Sequence, residues 1–385
     1  MNEIDHNQII KLRRHLHAIA EVSGQEYNTS RYLQNYLKEH ASGSLVQITS
    51  TGFVWVLDTG QPGPNVMFRA ELDALPISEI NEFTHRSTDE FVSHKCGHDG
   101  HMAILVGAIL SLSNDLPECG KYYFLFQPAE ETGEGAAAIL ASPKFDFTPD
   151  YIFALHNLPG YPLGTVLCRT GSLNAAVTSL IITFKGKTAH AAEPENGNNP
   201  AHSISKTIAF AENLQNPNTG VEDFSLITPV YMEMGEKAYG VSAGRGEVHF
   251  TLRAWTDQKM NSIKTKLLAE VDRLANQSGL AVSTERLESF AATNNDKDAV
   301  RLVKKAASEA SLDYLAAEQP FKWGEDFGLF TEKFRGGFFG LGAGAGIPAL
   351  HNPDYDFPDE LIAPGVAMFR QLIKLTTEKV EEQDY

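Results

Sequence analysis

The sequence predicts an α/β protein whose larger domain carries a mostly parallel sheet flanked by helices, with a smaller α+β open sandwich inserted into it. Two observations predict this. Short apolar runs alternate with helical stretches through the first part of the chain and again near its end, the signature of strand–helix–strand units. In the middle, the pattern changes to strict apolar–polar alternation accompanied by two amphipathic stripes. The domains expected from this change are residues 1–170 with 288–385, and an inserted 171–287.

The elements follow in chain order. Ile9, Leu12, Leu16 and Ile19 recur at helical spacing, so residues 5–20 read as a helix with Asp5 as its candidate cap. Strands are expected at Leu45–Ile48, Phe53–Leu57, Val66–Arg69, Tyr122–Phe126, Tyr151–Leu155 and Phe338–Leu341. Helices are expected over Asp99–Leu112 and Val300–Glu309. In the insert, Leu180, Ile182 and Phe184 alternate toward a turn at Lys185–Gly186, and Val248, Phe250 and Leu252 mark a second strand. A helix over Ala201–Leu214 and another bearing Ile263, Leu267, Val271 and Leu274 on one stripe complete that sandwich.

Composition narrows the function classes. The 385 residues include 32 Lys+Arg against 49 Asp+Glu, a net charge of −17, which repels nucleic acid and anionic lipid alike. The longest apolar stretch, Met102–Leu112, is far shorter than the ~20 residues that cross a bilayer, so no membrane association is expected. The N-terminal MNEIDHNQII carries charge where a signal peptide carries apolar residues. Three widely spaced cysteines (Cys96, Cys119, Cys168) make no disulfide framework, and together these features lead us to expect a cytoplasmic protein.

The chemistry-bearing residues cluster by position. Glu71 and Asp73 follow one expected strand, Glu130 and Glu131 a second, His156 a third, and His351 a fourth. Ligand crevices of open α/β sheets lie beyond the carboxyl ends of the strands, so these side chains should meet at one edge. Cys96 and His98 open a helix, whose N-terminus favours a thiolate. Thiolate, imidazole and carboxylate together suit zinc, manganese, cobalt or nickel rather than calcium or magnesium. Cys96, His98, Glu131, His156 and His351 exceed the complement of one tetrahedral ion, so two divalent ions are expected, with Cys96 as the natural bridge. His101, one turn into the helix, is expected to support the site or the core.

Nearly end to end, the chain resembles the metal-dependent amidohydrolases that include hippurate hydrolase, the plant indole-acetyl-amino-acid hydrolases and bacterial N-acyl-amino-acid deacetylases, relatives of the aminoacylase and carboxypeptidase G metallopeptidases. The resemblance rests on LRRHLHAIAEVSGQE (12–26), RAELDALPI (69–77), HKCGHDGHM (94–102), FQPAEETGEGA (126–136) and ALHNLPGYPLG (154–164), then on FKGKTAHAAEP (184–194), WGEDF (323–327) and LHNPDYDFPDE (350–360). It implies the same five metal ligands, Glu130 as general base and Asp73 as an acid behind the ligands. It also implies that His190, in TAHAA, reaches the substrate's oxyanion across a homodimer formed through the inserted lid domain. The implied activity is hydrolysis of N-acyl amino acids. The chain departs from the pattern at 240–244, where GVSAG replaces an Asn-x-Ile-Pro segment, and this bears on substrate contacts in the lid. Arg253 lies on the polar parity of its strand, and a structural role is expected for it.

In that scheme Glu130 takes a proton from the attacking water and returns it to the leaving nitrogen. For Glu130 and Glu131 to serve different partners, the backbone must bend near Gln127–Pro128, because neighbours on a regular strand face opposite sides. The two ions would also offset the local acidic groups, so an anionic substrate fits despite the net charge. Three rival readings are a dipeptidase, a thiol hydrolase with Cys96 as nucleophile and His98 as base, and a non-catalytic metal-binding relative.

Overall fold

The computed structural model describes residues 6–383, so the candidate cap Asp5 lies outside the described residues. Contacts divide the chain into two units, one of Met1–Leu173, Thr293–Glu318 and Glu325–Tyr385, the other of Asn174–Ala292 with Gln319–Gly324. The strands of the first stretch are β1 (Ser44–Gln47), β2 (Phe53–Asp58), β3 (Asn65–Glu71), β4 (Lys121–Gln127), β5 (Tyr151–Pro159), β6 (Val166–Cys168) and β7 (Gly171–Asn174). There follow β8 (Ala176–Lys185), β9 (Ala189–His190), β10 (Ser225–Met234), β11 (Val241–Ser242), β12 (Arg245–Ala254) and β13 (Ala281–Phe290), then β14 (Thr293–Asn295), β15 (Tyr314–Ala316) and β16 (Gly336–Gly344). The helices are α1 (His6–Ala18), α2 (Tyr27–His40), α3 (His98–Asn114), α4 (Gly135–Ala141), α5 (Ala201–Leu214), α6 (Asp257–Ser278), α7 (Lys297–Glu309), α8 (Gly328–Thr331) and α9 (Ile362–Gln383).

The first unit is built on an eight-stranded sheet of order β1-β2-β4-β3-β5-β16-β6-β15. Its centre is parallel, with β4, β3, β5 and β16 pairing in one direction, whereas β1, β2 and β6 introduce antiparallel pairs. The sheet is therefore mixed, parallel where both faces are buried and antiparallel toward the edges. Register places Trp55, Phe124, Phe68 and Phe153 in one cross-strand row. Gly337 stands next in that row, and a Cβ there would come 2.7 Å from the Phe153 ring, so only glycine fits. The α3 segment Met102–Ile109 is buried on all sides and packs on α1 and α9, which explains why it carries no polar stripe.

The second unit is a four-stranded antiparallel sheet of order β10-β12-β8-β13, with α5 and α6 packed on it. The residues expected to face inward do so: Leu180, Ile182, Phe184, Val248, Phe250 and Leu252 form one core with Ile263, Leu267 and Val271. Its edge strands β10 and β13 are largely exposed, and neither shows the alternation that marks a half-buried strand. Arg253 donates from Nη1 to the Lys322 carbonyl at 2.5 Å, a structural contact. All three cysteines are free. No described helix is long and apolar enough to cross a membrane.

Candidate metal centre

The parallel strands β3, β4, β5 and β16 end on the same side of the sheet, and the chemistry-bearing residues follow or occupy those ends. His156 lies inside β5 rather than after it, because that strand runs on to Pro159. Between β4 and Glu130 the chain bends at Ala129, whose φ of +51° is left-handed. Glu26 holds the bend by accepting a hydrogen bond from the Ala129 amide at 2.9 Å. Between Cys96 and His98, Gly97 has φ +92°, and a Cβ there would meet Asn157 Oδ1 at 2.6 Å. Glycine at this position lets the thiol and the imidazole turn toward a common space.

These side chains converge. Cys96 Sγ lies 3.4 Å from His156 Nε2, and donor atoms of Cys96, His98 and His156 lie within 4.8 Å of one another. A second group on the same criterion is Cys96, Glu131 and His351, and a third is His98, Glu130 and Glu131. Glu131 Oε1 is 3.9 Å from His98 Nε2 and 3.8 Å from His351 Nε2, while Glu130 Oε2 is 4.0 Å from His98 Nε2. Cys96 is shared by the first two groups.

Supporting contacts fix the orientation of these donors. His98 donates from Nδ1 to the Asp73 carbonyl at 2.9 Å, leaving Nε2 toward the cluster. Asp73 Oδ2 accepts from Ser23 Oγ at 2.7 Å and from the Glu131 amide at 3.0 Å. His156 Nδ1 donates to the Asn157 carbonyl at 2.9 Å. His101 hydrogen-bonds Glu71 at 2.7 Å and Asn157 Oδ1 at 2.5 Å, so it belongs to the supporting shell. His190 sits in the second unit, half of the short β9–β11 ladder, exposed, with Nδ1 accepting from the Ala192 amide at 3.1 Å.

Part of this arrangement was beyond sequence reasoning. Arg69 is completely buried and binds Glu71, Glu325 (2.9 Å), Asp326 (2.7 Å) and Gln127 (2.8 Å). Asp326 also accepts from the Ala136 amide at 2.8 Å. Carboxylate oxygens of Glu130, Glu325 and Asp326 lie within 4.8 Å of one another. The WGEDF and RAELDA segments were visible as motifs, but nothing in their spacing joins Arg69 to Glu325.

The cluster holds more acid than the protein's own cations can settle. Burial, then Glu325 and Glu131, push the Glu130 carboxyl well up. Burial also raises Glu131, to about 7, against the pull of His98. The Cys96 thiol is driven up by burial and by Glu131 and Glu130, so protein groups alone do not yield the thiolate that the helix N-terminus was expected to favour. His98 is lifted to about 10: burial opposes the charge, but Asp73 and Glu71 outweigh it.

A cation would fit here. Among the described residues, His98 Nε2 and Glu131 Oε1 are buried without a hydrogen-bond partner, an arrangement that ordinarily costs about 1–3 kcal/mol per group. They lie 3.9 Å apart, and each belongs to a different donor group containing Cys96. Sulfur, imidazole and carboxylate donors are those of a transition-metal site.

An eight-stranded mixed sheet with sulfur, imidazole and carboxylate donors at its carboxyl edge, with a separate α+β unit, is an architecture on which a metal-dependent hydrolase can be built. The comparisons name the family. Residues 67–375 match the sequence profile of peptidase family M20/M25/M40, and the chain belongs to that family. It is 31% identical to an N-acetyl-L-cysteine deacetylase of Bacillus subtilis over 356 residues, covering 92% of this chain and 85% of that one. An N-acetyldiaminopimelate deacetylase of Oceanobacillus iheyensis is likewise 31% identical, over 93% of this chain and 96% of its own length. Among solved structures, a Bacillus subtilis protein described as a dinuclear metal binding peptidase of the M20 family aligns with TM-score 0.83 and 25% identity, covering 97% of this chain and 98% of that one. A putative aminohydrolase from methicillin-resistant Staphylococcus aureus shares the fold at TM-score 0.88 and 22% identity, covering 97% of each chain.

Proposed function

We propose that this protein is a metal-dependent amidohydrolase that cleaves the amide bond of N-acyl amino acids. The observation that carries the reading is the pair of donor groups sharing Cys96: Cys96, His98 and His156 on one side, Cys96, Glu131 and His351 on the other. These five residues would hold two divalent ions of zinc, manganese, cobalt or nickel type. When bound, such ions supply Lewis acidity toward a carbonyl oxygen and lower the pKa of water toward about 7.

Glu130 then does the proton work. Its carboxylate takes a proton from the attacking water and delivers it to the amide nitrogen, which leaves as an amine. The left-handed turn at Ala129, pinned by Glu26, lets Glu130 and its ligand neighbour Glu131 both reach the cluster, 4.0 and 3.9 Å from His98 Nε2. Asp73 keeps His98 and the Glu131 amide in place. His190 of a partner subunit, reaching across a dimer, would supply a donor to the developing oxyanion, a contribution of about 3 kcal/mol in comparable sites.

The named relatives act on N-acetylcysteine and N-acetyldiaminopimelate, which supports small N-acyl amino acids as the substrate class. The test is a hydrolysis panel of N-acetyl and N-benzoyl amino acids beside free dipeptides, with metal analysis of the same sample. Turnover of the N-acyl compounds by protein carrying two ions per chain is expected. Turnover confined to dipeptides would refute the deacylase reading.

The second unit would serve as lid and dimerisation domain, in a cytoplasmic homodimer. The apolar character of one of its open sheet edges supports this choice. Edge strand β10 exposes Val230, Tyr231, Met232 and Met234, whereas β13 exposes Ser283, Thr284, Glu285 and Arg286. Exposed apolar edges invite strand pairing and charged edges resist it. Met232→Lys should therefore shift a dimer toward monomer in sedimentation, and a wild-type monomer would remove the proposal.

A further inference from the structure

We propose that Lys95 is a positioning residue, a two-ended clasp that brings His351 to Cys96. The inference rests on the metal-centre reading above. His351 is carried by the loop after β16, seven residues beyond that strand. Its backbone is left-handed, φ +66°, an uncommon conformation for a non-glycine residue that neighbouring contacts help to enforce.

Lys95 supplies that enforcement from both of its ends. Its carbonyl accepts the His351 amide at 2.8 Å. Its ammonium, fully buried, donates to the Tyr355 carbonyl at 2.8 Å, to Asn81 Oδ1 at 2.9 Å and to Glu79. An ammonium has three donors, and all three are committed. The neighbouring strand of chain reinforces the grip: Asn81 Nδ2 donates to the Asp354 carbonyl at 3.0 Å and the Ile80 amide to the Pro353 carbonyl at 3.2 Å. Thus three successive carbonyls, of Pro353, Asp354 and Tyr355, are held by residues 80, 81 and 95.

Position in the chain completes the argument. Lys95 is bonded directly to Cys96, so one residue is tied covalently to one donor and by two hydrogen bonds to the segment that brings another. Cys96, Glu131 and His351 form one of the two donor groups, and His351 has no part in the Cys96–His98–His156 group. Losing the clasp should therefore weaken the two ion sites unequally. A lysine that only neutralised buried Glu79 would affect folding stability and leave the ratio of the two affinities unchanged.

The experiment compares the full chain with Lys95→Met and Asn81→Ala. Zinc binding is measured by competition with a chromophoric chelator, and hydrogen exchange is followed in the metal-free proteins. In Lys95→Met one ion is expected to keep its affinity while the other weakens about 10- to 100-fold, the usual loss when an outer support of a ligand is removed. The amides of His351, Asn352, Asp354 and Tyr355 should exchange faster, with those of α3 unchanged. Asn81→Ala, at a half-buried site, should shift both readouts the same way by less, and it carries the test if Lys95→Met does not fold. Equal weakening of both ions, or unchanged exchange at 351–355, would overturn the clasp. A wild-type chain that takes up no zinc would sink the metal-centre reading instead, with the exchange comparison still deciding the clasp.

Discussion

Two buried clusters of charge in the first unit make an instructive pair. Around Arg13 the charges are settled internally. Arg13 meets Asp99 (3.2 Å), Asp356 (2.7 Å) and Asp359 (3.0 Å), His17 bridges Asp99 (2.9 Å) and Glu79 (3.0 Å), and Lys95 closes on Glu79. Asp99 Oδ1 is left over, as are both ring nitrogens of the adjacent His94, which burial keeps neutral by lowering its pKa to about 3. Around Cys96 the same kinds of side chain are gathered but not settled. His98 Nε2, Glu131 Oε1 and Asp73 Oδ1 are buried without hydrogen-bond partners, and Glu130 and Glu131 are pushed up by neighbouring acids. A cluster closed on itself reads as architecture, whereas one left open reads as a place for an ion and a reaction.

The sharpest way to break this contrast is to remove chemistry from the open cluster while sparing its donors. Glu130→Gln keeps the shape and removes the base. We expect kcat to fall about a thousandfold, within the usual range for a lost general base, with both ions retained on metal analysis. His98→Ala should do the converse and lower metal content itself. Equal metal loss in the two variants would cancel the division between base and ligand.

How much of this was legible in the sequence differs between the two clusters. The open one was readable because Glu131, His156 and His351 lie at or beyond the ends of strands that show as apolar runs such as Tyr122–Phe126 and Tyr151–Leu155, while Cys96 and His98 open a helix. The closed cluster was not, since Arg13 and His17 read simply as the polar face of a helix. No pattern within α1 says that this face is covered by Asp99 and Asp356. The same reason hid Arg69 with Glu325 and Asp326: a buried ion pair between residues 256 positions apart leaves no periodic trace. In the fold, α2 and α9 went unread and so did β10 and β13, whose outward positions are dictated by neighbours and partners rather than by alternation. The insert's two central strands and both helices were legible because each buries one stripe.

A second intervention acts on the closed cluster. Arg13→Met removes one cation and strands Asp99 and Asp356 in a site where Arg13 itself is only 1% exposed. Breaking a buried pair from one side costs about 3–5 kcal/mol, and the lower end is expected because Asp356 reaches solvent. Chemical denaturation should show the loss, and the bound-metal count should stay at the wild-type value. A variant of unchanged stability would mean that the cluster does not hold the fold.

The gentlest test sharpens the comparison by titration. Burial alone would depress His17, but its hydrogen bonds to Asp99 and Glu79 outweigh that and lift it to about 9. Both ring nitrogens donate to carboxylates, so the folded state holds the imidazolium. Between the unfolded value near 6.5 and about 9, the folded chain thus binds a proton that the unfolded chain has lost. Stability from this group is complete below about 6.5 and declines as pH rises toward 9, by at most about 1.4 kcal/mol per pH unit. Glu79 works at the other end. Burial raises it, yet His17 and Lys95 bring it down to about 2, so its contribution is present above about 4.5 and fades as pH falls toward 2. Denaturation of the metal-free protein at pH 6.5, 7.5 and 8.5 should trace the upper decline, and His17→Gln should flatten it. A wild-type curve that stays level across that range would place the imidazolium elsewhere and dissolve the distinction between a settled cluster and an open one.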